Sequence, residues 1–277
     1  MAPKEVDRMD ALHEKKEKLK SILRGLESVA VAFSAGVDST FLLAVAREAL
    51  GERAFAVTAD TGTFPRRELD EAARFCREQN VRLITPAVDV FSVEGFCDNT
   101  PERCYVCKKA LFSRIVDEAR RNGARYVVEG SNVDDEGDFR PGMRAIAELG
   151  VRSPLRQAGL TKAEIRALSK ELGLGTWDKP SFACLATRIA YGETITPEKL
   201  AMIEKAEKKL ADLGFVQYRV RVRGSEARVE LLPEDIDRAL SPVLRKDVSE
   251  YLHALGFRHV SLDLDGYRTG SMNETLK

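Results

Sequence analysis

The seven residues Ser34-Ala35-Gly36-Val37-Asp38-Ser39-Thr40 place three hydroxyls, one carboxylate and one glycine in a single turn. Val29–Phe33, ahead of the turn, is an apolar, β-branched run suited to a buried parallel strand, and Thr40–Leu50, behind it, has helical spacing. A strand that passes straight into a helix leaves the helix's first N–H groups without internal partners, and the helix dipole adds positive charge there. Such a junction binds anions. Gly36 lets the backbone approach phosphate oxygens, Ser34, Ser39 and Thr40 can donate to them, and Asp38 can hold magnesium or cap the helix. The Gly-x-x-x-x-Gly-Lys-Ser/Thr pattern is missing, which disfavours γ-phosphoryl transfer.

A second chemistry lies in the thiols. Cys104-Tyr105-Val106-Cys107 opens a helix that runs to Arg121, with Lys108 and Lys109 next in line, a setting that favours thiolates. Cys184 is a third candidate, within Pro180–Arg188; Cys97 has no comparable setting, and Cys76 reads as a buried thiol. Cys-x-x-Cys alone leaves a redox pair, a zinc site and an iron–sulfur site open. Zinc needs a fourth protein ligand, and His13, His253 and His259 fall in helix or strand patterns far from these motifs. A redox pair would leave Cys184 without a role. The odd number of cysteines indicates a reduced compartment and thiol chemistry rather than a disulfide framework, and the charged, helical start at Met1–Lys20 predicts a cytoplasmic protein rather than a secreted one.

Strands at Ala54–Thr58, Val81–Thr85 and Tyr126–Val128 alternate with helices at Pro65–Gln79 and Leu111–Arg121, the pattern of right-handed βαβ units and a parallel sheet, to which Val151–Leu155 can add a strand. Met9–Leu26 predicts an amphipathic helix outside that sheet, Arg140-Pro141-Gly142 starts a short helix, and Thr161-x-x-Glu164 caps another. Ligands of such sheets sit beyond the carboxyl ends of the strands. That rule brings Thr58, Asp60 and Glu129-Gly130-Ser131-Asn132, with Asp134 and Asp135, to the phosphate turn. Asp135 is a candidate magnesium helper there.

Trp177–Gly192 is irregular and joins two domains, expected at residues 1–190 and 191–277. The second is a small α+β domain with an antiparallel pair at Phe215–Arg223 and Ala227–Leu232. Arg219, Arg221 and Arg223 share one face of its first strand, either as a solvated surface or as an anion clamp. The chain has 277 residues, with 44 basic and 44 acidic side chains, so no global field grips a polyanion and a nucleic-acid partner is not expected. No apolar run is long enough to span a bilayer.

The turn at 34–39 resembles the Ser-Gly-Gly-x-Asp-Ser/Thr pyrophosphate loop of the N-type ATP pyrophosphatases (the PP-loop superfamily). That resemblance implies a Rossmann-like α/β fold of the adenine nucleotide alpha hydrolase type, with ATP and Mg2+ as cofactors. Ala35 departs from the pattern, and its methyl group requires residue 35 to keep an ordinary backbone conformation. Together with Glu129–Asn132, Cys-Tyr-x-Cys-Lys, Ser181–Arg188 and Gly266-Tyr267-Arg268-Thr269-Gly270, the loop is similar to the LarE family of ATP-dependent sulfur transferases, over nearly the whole chain. The resemblance implies adenylation of a carboxylate of pyridinium-3,5-dicarboxylate mononucleotide and its conversion to a thiocarboxylate, in maturation of the lactate racemase nickel-pincer cofactor. Ser34, Gly36, Asp38, Ser39, Thr40, Thr58, Glu129, Gly130 and Asn132 would then line the ATP site. Arg188, Arg219, Arg221 and Arg268 would meet the substrate's anions, with Arg188 also near the chemistry. Cys104, Cys107 and Cys184 would hold a 4Fe-4S cluster, whereas other members sacrifice a single cysteine at the position of Cys184. A homo-oligomer is expected, and the sulfur donor is unknown.

Overall fold

The structure, a computed structural model, describes residues 3–135, 141–180, 183–268 and 270–272. The chain forms two compact units, each assembled from separate stretches: Met1–Thr61, Arg66–Val90 and Cys104–Ser181 in the first, Gly62–Pro65, Phe91–Arg103 and Phe182–Lys277 in the second.

The first unit is a parallel sheet of four strands, β1 (Val29–Ala32), β2 (Ala54–Val57), β3 (Leu83–Ile84) and β4 (Tyr126–Val128), in the order β3-β2-β1-β4. Around it lie helices α1 (Pro3–Gly25), α2 (Val37–Leu50), α3 (Arg66–Glu78), α4 (Arg103–Arg121), α5 (Pro141–Glu148), α6 (Pro154–Ala158) and α7 (Lys162–Glu171). Side chains on a strand point alternately to opposite faces. Val29 and Val31 of β1 accordingly pack with Leu19 and Leu23 of α1, Phe41 and Leu42 of α2 and Leu168 of α7, while Ala30 packs with Phe112 and Ile115 of α4 and Ile146 of α5. Both faces are covered, which is why the strands carry apolar residues at every position. The polar chemistry is therefore confined to the strand ends and their loops.

Three local expectations change. α2 starts at Val37 rather than Thr40, so Asp38 and Ser39 lie inside its first turn, behind Gly36 as the N-cap. Val151–Leu155 is not a strand: Arg152 makes one bridge to Val128, and Pro154, suited to a first helical position, begins α6. Ala35 has φ +53° and is buried, so it occupies the left-handed region that its methyl group disfavours. Arg140, Ser181, Phe182 and Thr269, which belong to the motifs above, lie outside the described residues.

The second unit contains α8 (Pro197–Asp212), an antiparallel pair β5 (Tyr218–Arg223) and β6 (Glu226–Leu231), α9 (Ile236–Leu240), α10 (Pro242–Ala254) and β7 (His259–Leu262), which pairs parallel to β6. Its core includes Ile203, Leu210, Val220, Val222, Val229 and Leu231. After β7 the chain turns at Gly266, where φ is +71° and a Cβ would come within 2.7 Å of the Leu231 carbonyl, so no other residue fits. Among the described residues, no helix is long and apolar enough to cross a membrane.

Candidate active site

In the first unit the phosphate turn leaves β1 and enters α2. The first intrahelical bond is Thr40 N to Gly36 O, at 3.0 Å, so the amides of Val37, Asp38 and Ser39 precede it and have no partner in the helix. Gly36 caps without a side chain, which leaves that end open to an external acceptor. Ser39 Oγ accepts from Ser34 N at 3.2 Å, lies 3.0 Å from Ser34 Oγ and donates to Gly36 O at 3.2 Å. The two serine hydroxyls thus close the turn on itself, Ser34 exposed and Ser39 buried. Thr40, like Ser39, is buried, so Ser34 is the exposed hydroxyl of the three.

Asp38 is the charged centre. Its Oδ1 accepts from Asn132 Nδ2 at 3.2 Å, and its Oδ2 is paired with Lys162 Nζ. The Asp38 side chain keeps 23% of its surface exposed and Lys162 28%, so both remain within reach of a ligand. Lys162 is absent from the residues that the sequence singles out, and its signal was local: it follows Thr161, whose side chain forms the capping box with Glu164 and thereby fixes the start of α7.

The segment after β4 braces this centre. Gly130 packs closely against the turn, since a Cβ there would lie 3.1 Å from both Asp38 Cβ and Ser39 N. Glu129 is buried and its carboxylate accepts from Ser131 N at 3.0 Å, Ser131 Oγ at 2.8 Å and Ser153 Oγ at 2.5 Å. Asp135 accepts from Asn132 N at 2.9 Å, Asn132 Oδ1 accepts from Asp134 N at 2.9 Å, and Asp134 caps α7 through Lys162 N at 2.7 Å. These carboxylates hold Asn132 and Lys162 in place against Asp38. Thr58 is buried and donates to the Phe33 carbonyl at 2.6 Å, pinning the end of β1, while Asp60 accepts from Arg66 at 3.2 Å.

Of the cysteines, Cys104 and Cys107 occupy the first turns of α4 at helical spacing, so they share a face, and both are half-buried thiols. Burial pushes the Cys76 thiol up to about 11. Among the described residues no three His, Cys, Asp or Glu side chains gather as a metal-ligand set.

Cys184 belongs to the second unit, in a strap that covers the free edge of β5 through a bond from Ala190 N to Val222 O at 3.1 Å. Arg188 organises this strap. It is 1% exposed, pairs with Glu207 of α8 through Nε at 2.8 Å and Nη2 at 3.0 Å, and donates from Nη1 to the carbonyls of Ala183 and Cys184 and to Thr187 Oγ1. Its guanidinium is thus paired within the protein, to Glu207 and to the carbonyls on either side of the Cys184 peptide. Arg103, the residue before Cys104, donates to the Ala186 carbonyl at 3.2 Å, and Asn99 Nδ2 donates to those of Ile189 and Ala190.

Of the three arginines of β5, Arg223 is exposed, whereas Arg219 and Arg221 are enclosed. Arg221 donates to both oxygens of Glu230, to Thr187 O at 2.8 Å and to Ser271 Oγ at 3.1 Å. Arg219 is buried, donates to Tyr218 O at 2.6 Å and lies 5.0 Å from the centre of the Tyr267 ring. Burial, together with the charge of Arg188, draws its pKa down to about 10, which leaves it charged at neutral pH. Arg268 is 39% exposed and faces Asp265 at 3.2 Å.

The chain is 40% identical over 269 residues, 97% of its own length and 97% of the relative's, to pyridinium-3,5-bisthiocarboxylic acid mononucleotide synthase of Lactiplantibacillus plantarum. It belongs to the LarE family of ATP-dependent sulfurtransferases. An uncharacterized protein of Synechocystis sp. is 37% identical over 96% of this chain and 99% of its own. The chain is also 31% identical, over 70% of its length and 67% of the other's, to a subunit of the glutamine-hydrolyzing GMP synthase of Methanoculleus marisnigri, which places it in the PP-loop superfamily. The parallel sheet and the smaller mixed-sheet unit are the fold expected of that superfamily. No family model matches the chain.

Proposed function

We propose that this enzyme adenylates a carboxylate of pyridinium-3,5-dicarboxylate mononucleotide with ATP and exchanges the activated oxygen for sulfur. The observation that carries the reading is the open N-terminus of α2 with Asp38, Asn132 and Lys162 gathered on it. In that reading the amides of residues 37–39 and the hydroxyls of Ser34 and Ser39 hold the β- and γ-phosphates. A carboxylate oxygen of the substrate attacks the α-phosphorus and pyrophosphate leaves. Lys162, released from Asp38 toward the phosphates, balances the charge that develops on pyrophosphate. Asp38 and Asp135 have the donor chemistry for magnesium, and Asp38 becomes available to it as Lys162 moves. Arg268, the most exposed of the four candidate arginines, meets the substrate's anionic groups.

For the sulfur step, Cys104, Cys107 and Cys184 would hold a four-iron, four-sulfur cluster. Three thiolates would leave one iron open, and the group, when bound, would present there an extra sulfide taken from an outside donor, which would displace AMP from the activated carboxylate. A second reading rests on Cys184 alone, whose thiol is half-buried and whose carbonyl accepts from Arg188. In that reading Cys184 Sγ attacks the adenylated carbon and AMP leaves. Its Cβ–Sγ bond then breaks with loss of the Cα proton, giving thiocarboxylate and dehydroalanine. Intact mass after anaerobic turnover separates the two. An unchanged chain together with a brown chromophore supports the cluster, and a chain that has lost the sulfur of Cys184 sinks it.

A further inference from the structure

The residue of the phosphate turn with a disfavoured backbone is Ala35, and an ammonium group reaches it. Lys179 Nζ donates to the Ala35 carbonyl at 3.2 Å, to Glu68 Oε2 at 2.8 Å and to Glu71 Oε2 at 2.5 Å. Its side chain is 13% exposed, and Glu68 is 10% exposed. The backbone of Lys179 is fixed in turn: Arg166 of α7 donates to the carbonyls of Trp177 at 2.6 Å and Lys179 at 2.9 Å. Lys179 is therefore held by two glutamates at its head and an arginine at its root, aimed at one peptide.

That peptide joins Ala35 to Gly36. A trans peptide is planar, so the direction of its carbonyl fixes the direction of its N–H on the other side. An ammonium on the carbonyl oxygen points the Gly36 N–H away from Lys179 and polarises it as a donor. With alanine rather than glycine at position 35, the left-handed conformation that sets this peptide is disfavoured by the side chain itself and needs an external hold.

We infer that Lys179 is a positioning residue for ATP: it clamps the Ala35–Gly36 peptide in the left-handed turn so that the Gly36 N–H serves as a phosphate donor. The inference rests on the reading of residues 34–39 as the ATP site. Its distinctive consequence is a coupling between two residues, since glycine at position 35 relieves the strain that the clamp opposes.

The test is calorimetric titration of ATP, and separately of inorganic pyrophosphate, into the full chain as wild type, Lys179→Met, Ala35→Gly and the double variant. Lys179→Met is expected to weaken ATP binding about tenfold, the usual loss for a charge-assisted hydrogen bond. Measured against Ala35→Gly alone, the double variant is expected to lose far less than the tenfold that Lys179→Met costs the wild type. Wild-type affinity in Lys179→Met, or the same loss in the Ala35→Gly background, overturns the clamp while leaving the ATP site intact. A wild-type chain that binds neither probe removes the site and the clamp together. Should Lys179→Met not fold, the double variant decides by thermal unfolding and titration. A folded, ATP-binding double variant supports the clamp. One that stays unfolded assigns Lys179 to neutralising Glu68 and Glu71, and overturns it.

Discussion

At the phosphate turn Asp38 is held by Asn132 and Lys162 but keeps 23% of its side chain exposed, next to helix amides without helical partners. On the strap of the second unit Arg188 and Glu207 are 1% and 3% exposed and hold each other through two bonds. The first arrangement can change partners when a ligand arrives, because water already reaches both ions and the exchange costs little desolvation. The second cannot, because separating the pair would leave a buried charge uncompensated. In the proposed reading, the part-exposed pair is the one that meets the ligand and the buried pair the one that holds the strap still.

The largest test of this difference is Glu207→Ala. Removing one partner of a buried pair costs about 3–5 kcal/mol, so urea unfolding should show the second unit destabilised by that order. A loss below about 1 kcal/mol would mean that the Arg188 pair does not brace the strap. Asp38→Asn should behave in the opposite way. Pyrophosphate release is expected to fall about 100-fold, as for loss of a preorganised charged group, while unfolding moves by no more than about 0.5 kcal/mol. Release at the wild-type rate would remove Asp38 from the site.

A smaller effect is expected at Arg268, whose side chain is 39% exposed and should act like the groups at the turn rather than like Arg188. Arg268→Ala should weaken the pyridinium substrate about tenfold, with ATP affinity retained. Unchanged substrate affinity would place Arg268 outside the site. The mildest test contrasts the cysteines. Burial pushes the Cys76 thiol up to about 11, so it keeps its proton at pH 8 and should escape iodoacetamide in the folded chain, where Cys104, Cys107 and Cys184 are labelled first. Because its folded pKa lies above the ordinary thiol value, its contribution to stability is complete below that value and is lost as pH climbs toward about 11. Labelling of Cys76 as fast as the others, read by peptide mass, would contradict its enclosure.

The strands of the first unit were legible because both faces of the sheet are covered, and a run such as Val29–Ala32 has no polar alternative. The strand-to-helix junction at residues 33–37 was legible for a related reason, since it is written in consecutive residues. The arginines were not. Spacing puts Arg219 and Arg221 on one face, but whether that face meets water or Glu230 depends on residues brought there by folding. Lys162 and Lys179 were missed on the same ground: each reaches the turn from more than a hundred residues away, as the separations of 124 to Asp38 and 144 to Ala35 state. Pro154 ended the expected strand at Val151–Leu155, and the extra turn of α2 at Val37–Ser39 followed from Gly36 serving as the cap.

The most direct test of the proposed reaction is pyrophosphate release by anaerobically purified enzyme with ATP, measured with and without pyridinium-3,5-dicarboxylate mononucleotide, with the organic product weighed by mass spectrometry. The predicted result is release that depends on the mononucleotide and a product in which sulfur has replaced a carboxylate oxygen. Release that ignores the mononucleotide, or a product that contains no sulfur, would contradict it.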